Sequence, residues 1–194
     1  MKSQLIMTVA CIFGFLTSNY SQNNIATVNK IQGFYIFTDS QPIAEYDAIG
    51  EITTEDHKDK DISNSGGQYQ PVRDYLISKA RKVNYSADGL MFTLVNGGID
   101  KAVIIKFKEN AVDKNQAKVN QYQGLYIFVD SEPQNETEYL GTVKTKMSLS
   151  SSQYTSLRDK LIKKCKNDFD NAKGLIIKCV NGGADTGDAI KFKN

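Results

Sequence analysis

The chain has 194 residues, 40% of them hydrophobic, which suits one medium domain or two small ones and is too apolar for an intrinsically disordered segment. Its 24 Lys and Arg nearly balance 22 Asp and Glu, for a formal charge of +2. That excludes the single-sign field that draws a protein onto nucleic acid or anionic lipid.

The first residues, MKSQLIMTVACIFGFLTSNYSQ, carry one Lys at position 2, an apolar run from Leu5 to Leu16, then small and polar residues. This is the order of a secretory signal peptide, assigned here to residues 1–21. The run is too short to cross a bilayer core as a helix, which takes about 20 residues, so no transmembrane anchor is expected. The mature chain is then periplasmic or secreted. Cys11, after Val9 and Ala10, offers a rival reading as a lipoprotein acylation site, but the apolar run continues past it through Ile12, Phe13, Phe15 and Leu16. In a eukaryotic secretory route, Asn84-Tyr85-Ser86 and Asn135-Glu136-Thr137 would be glycosylation sequons.

The rest is a duplication. VNKIQGFYIFTDSQP from Val28 matches VNQYQGLYIFVDSEP from Val119, and QYQPVRDYLISKA, ADGLMF, VNGGID and IKFK match QYTSLRDKLIKKC, AKGLII, VNGGAD and IKFK. Repeat 1 spans 28–108 and repeat 2 spans 119–194, with a polar linker, 109–118, between them. In chain order each repeat begins with a strand, GFYIFTD or GLYIFVD, apolar on both faces and therefore covered on both sides, by the other copy or the linker, or else offering a binding face. A second strand follows through AIGEIT or YLGTVK.

Next comes an amphipathic helix. Tyr69, Val72, Leu76, Ile77 and Ala80 form its apolar face in repeat 1, and Tyr154, Leu157, Leu161, Ile162 and Cys165 in repeat 2. The runs SNSGG and SLSSS supply candidate N-caps. GLMFTLV and GLIIKCV are apolar strands, Asn96-Gly97-Gly98 and Asn181-Gly182-Gly183 read as tight hairpin turns, and AVIIKFK and DAIKFK close each unit. The fold class is α+β: two tandem ββαββ domains, each with one helix on a mainly antiparallel four-stranded sheet. Cutting the linker should release two stable pieces, unless sheet-to-sheet packing makes the copies interdependent.

From the second strand on, IGEI and LGTV, YLISKA and KLIKKC, ADGLMF and AKGLII, and AVIIKFK and DAIKFK resemble the YdgH/BhsA/McbA-like family of bacterial periplasmic proteins. The YbjQ-like domains are a second kinship. The closing Tyr of the first pattern is replaced by Phe107 and Phe192. The resemblance implies an exported protein linked to stress tolerance and biofilm behaviour, and it brings no catalytic residue.

Chemistry is sparse in the sequence. His57 is the only histidine, on a loop that repeat 2 lacks, so a Ser-His-Asp or Cys-His site has no well-held base, and no catalytic residue is assigned. No nucleotide, phosphate or zinc motif occurs, and no cofactor is expected. Glu55, Asp56, His57, Asp59 and Asp61 could gather round a divalent cation, against the repulsion of Lys58 and Lys60. Tyr35, Asp39, Arg73 and their counterparts Tyr126, Asp130 and Arg158 are the candidate ligand-binding residues. Arg73-Asp74 and Arg158-Asp159 also have a structural reading, with each Arg reaching a carboxylate such as Asp39 or Asp130. Cys165 and Cys179 both point into the helix-sheet layer and form a candidate disulfide that would contribute about 3 kcal/mol; two buried free thiols are the alternative. The expectation is an exported, non-enzymatic protein whose partner is a protein or cell-surface component. The alternative is a periplasmic protein that binds a small ligand or a divalent metal.

Overall fold

The chain punctuates itself with non-glycine residues in left-handed conformation. Gln32 (φ 49°) with Gly33 (φ 96°) and Gln123 (φ 51°) with Gly124 (φ 89°) make two-residue turns, which match the twist of a tight hairpin. The computed structural model describes residues 23–54, 68–84, 86–145, 153–181 and 183–193. Repeat 1 forms β1 (Ile25–Val28), β2 (Lys30–Ile31), β3 (Phe34–Thr38), β4 (Ser40–Pro42), β5 (Tyr46–Thr53), α1 (Tyr69–Val83), β6 (Gly89–Thr93) and β7 (Lys101–Phe107). Repeat 2 gives β8 (Gln116–Val119), β9 (Gln121–Tyr122), β10 (Leu125–Val129), β11 (Ser131–Pro133), β12 (Thr137–Lys144), α2 (Tyr154–Asp168), β13 (Gly174–Lys178) and β14 (Thr186–Phe192).

The fold is α+β, with two helices among the described residues and three mostly antiparallel sheets. Two are five-stranded, in the orders β2-β3-β6-β7-β5 and β9-β10-β13-β14-β12, and one is four-stranded, β11-β1-β8-β4. Within the five-stranded sheets β3 runs parallel to β6 and β10 parallel to β13, each helix making the crossover. The layout departs from two four-stranded ββαββ units in two ways. Each main sheet gains a fifth strand, and the third sheet belongs to both copies. Gln116 to Lys118, read from sequence as linker, lie in β8.

Alternation along β3 explains its cover on both sides. Phe34 and Ile36 meet Val72, Leu76, Ile77 and Ala80 of α1, whereas Phe37 on the opposite face packs with Val28 of β1 and Ala117 of β8. In repeat 2, Leu125 and Ile127 meet Leu157, Leu161, Ile162 and Cys165, and Phe128 packs with Ala26 and Val119. The molecule is therefore layered as helices, two five-stranded sheets, and one shared sheet under both. Thr27, Gln41, Lys118 and Glu132 on the far face of the shared sheet are exposed. Phe92 and Leu94 of repeat 1 pack against both helix-side cores.

Two local expectations change. The helices start after Gln68 and Gln153, neither of which makes a side-chain cap; the runs SNSGG and SLSSS lie outside the described residues. Asn96-Gly97-Gly98 is not a tight hairpin turn, since the strands it joins pair only from Thr93 and Lys101. It sits in a longer loop, where Asp100 accepts from the Val95 N–H (2.9 Å), and in repeat 2 Asp185 accepts in the same way from the Val180 N–H (2.8 Å).

Candidate functional site at the junction of the repeats

A single residue turns the chain from each main sheet into the shared one. Between β3 and β4 this is Asp39, and between β10 and β11 it is Asp130, both with φ near 50°. Asp tolerates this left-handed conformation better than most residues because its short side chain can bond locally. Here both carboxylates reach across to the other repeat. Arg73 Nη1 donates to both oxygens of Asp130 at 3.2 Å, and Arg158 Nη1 donates to those of Asp39 at 3.1 and 3.2 Å. The first tyrosine of each helix joins them: Tyr69 donates to Asp130 (2.7 Å) and Tyr154 to Asp39 (2.5 Å). The two tyrosine rings lie 5.2 Å apart at the centre.

The two ends differ where the copies differ. Tyr122, at the position of Ile31 in repeat 1, donates to Asp39 at 2.9 Å, and its ring lies 3.8 Å from the Arg158 guanidinium carbon, a stacked cation–π contact. Asp39 and Arg158 side chains are each 12% exposed. At the other end Thr38 shares a 2.7 Å hydrogen bond with Tyr69, and a cleft of about 200 Å³ opens beside Arg73 and Asp130, lined also by Asn29, Ser131, Lys178 and Cys179. Ser131 and its counterpart Ser40 are both buried, and neither Oγ has a hydrogen-bond partner among the described residues, so the ends do not differ there.

Burial, and then the facing aspartates, push the Tyr69 and Tyr154 hydroxyls well above the usual tyrosine range, so both stay protonated donors. Burial also raises the thiols, Cys165 to about 11 and Cys179 further. Neither has the depressed pKa of an activated nucleophile. The candidate disulfide does not form, and both cysteines are free. Cys179 lies beside Tyr69 and Tyr154 at the helix starts, close enough to act on their ionisation. Cys165 lies three turns further along α2, roughly 16 Å away at 1.5 Å per residue, beyond the reach of a disulfide.

Of the six candidate ligand-binding residues, the junction collects Asp39, Arg73, Asp130 and Arg158, as cross-repeat pairs. Tyr35 and Tyr126 are not part of it. They lie on the opposite face of their sheets, edge-on to Phe107 and Phe192 at 6.0 and 5.9 Å. Glu55, Asp56, His57, Asp59 and Asp61 lie outside the described residues, as does the signal segment. Among the described residues no group of three or more His, Cys, Asp or Glu could hold a metal, and no helix is long and apolar enough to cross a membrane. Sequence reading gave Tyr69 and Tyr154 to the core and passed over Tyr122. The available signal was a buried tyrosine at the same helix position in both copies, whose hydroxyl needs a partner. Compared with protein families, curated proteins and solved structures, the chain matches none.

Proposed function

We propose that this is an exported, non-enzymatic protein that acts through protein or surface contacts, in envelope stress or biofilm behaviour, as its resemblance to the YdgH/BhsA/McbA-like family implies. Each repeat is read as a ββαββ unit, formed by β3, β5, α1, β6 and β7 and their counterparts, with accessory strands that tie it to its neighbour. The observation that carries the reading is the pair of loops after β6 and β13. Val95, Ile99 and Val180 are 43%, 42% and 48% exposed there, beside backbone N–H groups that are hydrogen-bonded. Each loop is closed by its own Asp and pinned from the other repeat, Gly97 N–H to Gln153 Oε1 and Asn181 N–H to Gln70 Oε1. Apolar side chains displayed on preorganised loops bind with little ordering cost. The repeated Arg and Asp residues, meanwhile, are engaged in joining the copies.

The test is a pull-down from envelope extract with the mature protein and with a V95D/V180D variant. A protein retained by the first and released by the second supports the reading, and equal retention by both counts against it. Small-ligand binding is the second reading, favoured by the polar cleft beside Asp130, lined also by Asn29, Arg73 and Lys178. Calorimetry with candidate ligands showing a defined stoichiometry, abolished by S131V, would favour it.

A further inference from the structure

We infer that the face each repeat presents to the other is a self-complementary docking surface whose partner is a second copy of the same domain, supplied either by the same chain or by another. The register carries the argument. In the β1–β8 pair, Ala26 lies opposite Ala117, its own counterpart in the duplication, so a two-fold axis passes between them. The flanking pairs obey the same axis: Ala26, Thr27 and Val28 face Pro133, Glu132 and Ser131, as Ala117, Lys118 and Val119 face Pro42, Gln41 and Ser40. Tyr69 meets its counterpart Tyr154, and Arg73–Asp130 mirrors Arg158–Asp39. Contacts in which residue i meets j and j meets i define an isologous interface, the kind that closes a two-fold dimer.

Each repeat is incomplete without that partner. Asp39 is an almost buried carboxylate whose three side-chain donors, Tyr122, Tyr154 and Arg158, all come from the other repeat. Asp130 depends on Tyr69 and Arg73 in the same way. The covalent tie is the segment from Lys108 to Asn115, between β7 and β8. It favours the internal partner by an effective concentration on the order of millimolar, without adding to the recognition itself. Two chains can therefore exchange repeats and rebuild the same contacts twice.

The experiment removes residues 110–113 from the mature chain, which halves the tie from Lys108 to Asn115, and measures mass by light scattering beside circular dichroism. A folded species of twice the parent mass is expected; a folded monomer with the parent's spectrum overturns the inference. If the shortened chain does not fold, the unmodified mature chain decides, refolded from urea at dilute and at near-millimolar concentration. A dimer fraction that rises with concentration supports the exchange, and monomer at every concentration overturns it. So does a dimer that persists unchanged in a D39R/D130R chain, where like charges would face Arg158 and Arg73.

Discussion

Asp39 and Asp130 do the same work with unequal help, and stability should register the difference. Asp39 accepts from Arg158, Tyr154 and Tyr122, whereas Asp130 accepts from Arg73 and Tyr69 and is 18% exposed. Asp39→Asn should therefore destabilise more than Asp130→Asn, by about 1 kcal/mol, the typical net value of one hydrogen bond. Urea midpoints at neutral pH check this, and the reverse order would contradict the assigned network. The tyrosines add a pH dependence. Their folded pKa values lie above the unfolded value of about 10, so their stabilisation is complete below that pH and is lost as pH rises through the folded values. A Y69F/Y154F chain should be less stable near neutrality yet decline less steeply above about pH 10, as read from thermal midpoints across that range. The duplication made Arg73 and Arg158 legible in the sequence, with Asp39 and Asp130 among the carboxylates they could reach. The choice was hidden because it depends on which copy packs against which, and nothing local encodes that.

The helices were the most legible elements, since the apolar faces read from their spacing are the residues buried in α1 and α2. Period and burial coincide because one stripe of each helix meets one face of one sheet. The strands β1, β4, β8 and β11 were not legible. They are two to four residues of useful pattern at most, β4 and β11 end in proline, and their partners lie far along the chain in the other repeat. A second contrast separates the long edge strands. β5 and β12 both carry a register shift before a glycine, but a Cβ on Gly141 would fall into the ring of Phe169, at φ +157°, while one on Gly50 would meet only Ile104 at 3.6 Å. Gly141→Ala should cost about 1–3 kcal/mol through overpacking, and Gly50→Ala about 0.5 kcal/mol or less. Phe169→Ala should recover part of the Gly141→Ala loss in a double-mutant cycle by removing the ring; no coupling would mean that the strain lies in the backbone alone.

At the scale of the molecule, the shared sheet favours interdependent copies over two separable pieces. β1 is flanked by β11 and β8, so the first strand of repeat 1 has both neighbours in repeat 2. A protease cut within residues 109–114 should leave the fragments co-eluting at the parent mass and parting only in denaturant. Fragments that elute apart and remain folded would show that each repeat stands alone. Fusion also changes what mutation can reach. In a dimer of identical single domains, every substitution near the axis appears twice, so a residue that improves one end must be tolerated at the other. The fused chain lifts that condition. Tyr122 could be adopted opposite Asp39 while Ile31 remained, and Cys179 beside Asp130 while Leu94 remained. One end is a closed clamp and the other an open cleft, a division of labour that a symmetric ancestor could not have encoded.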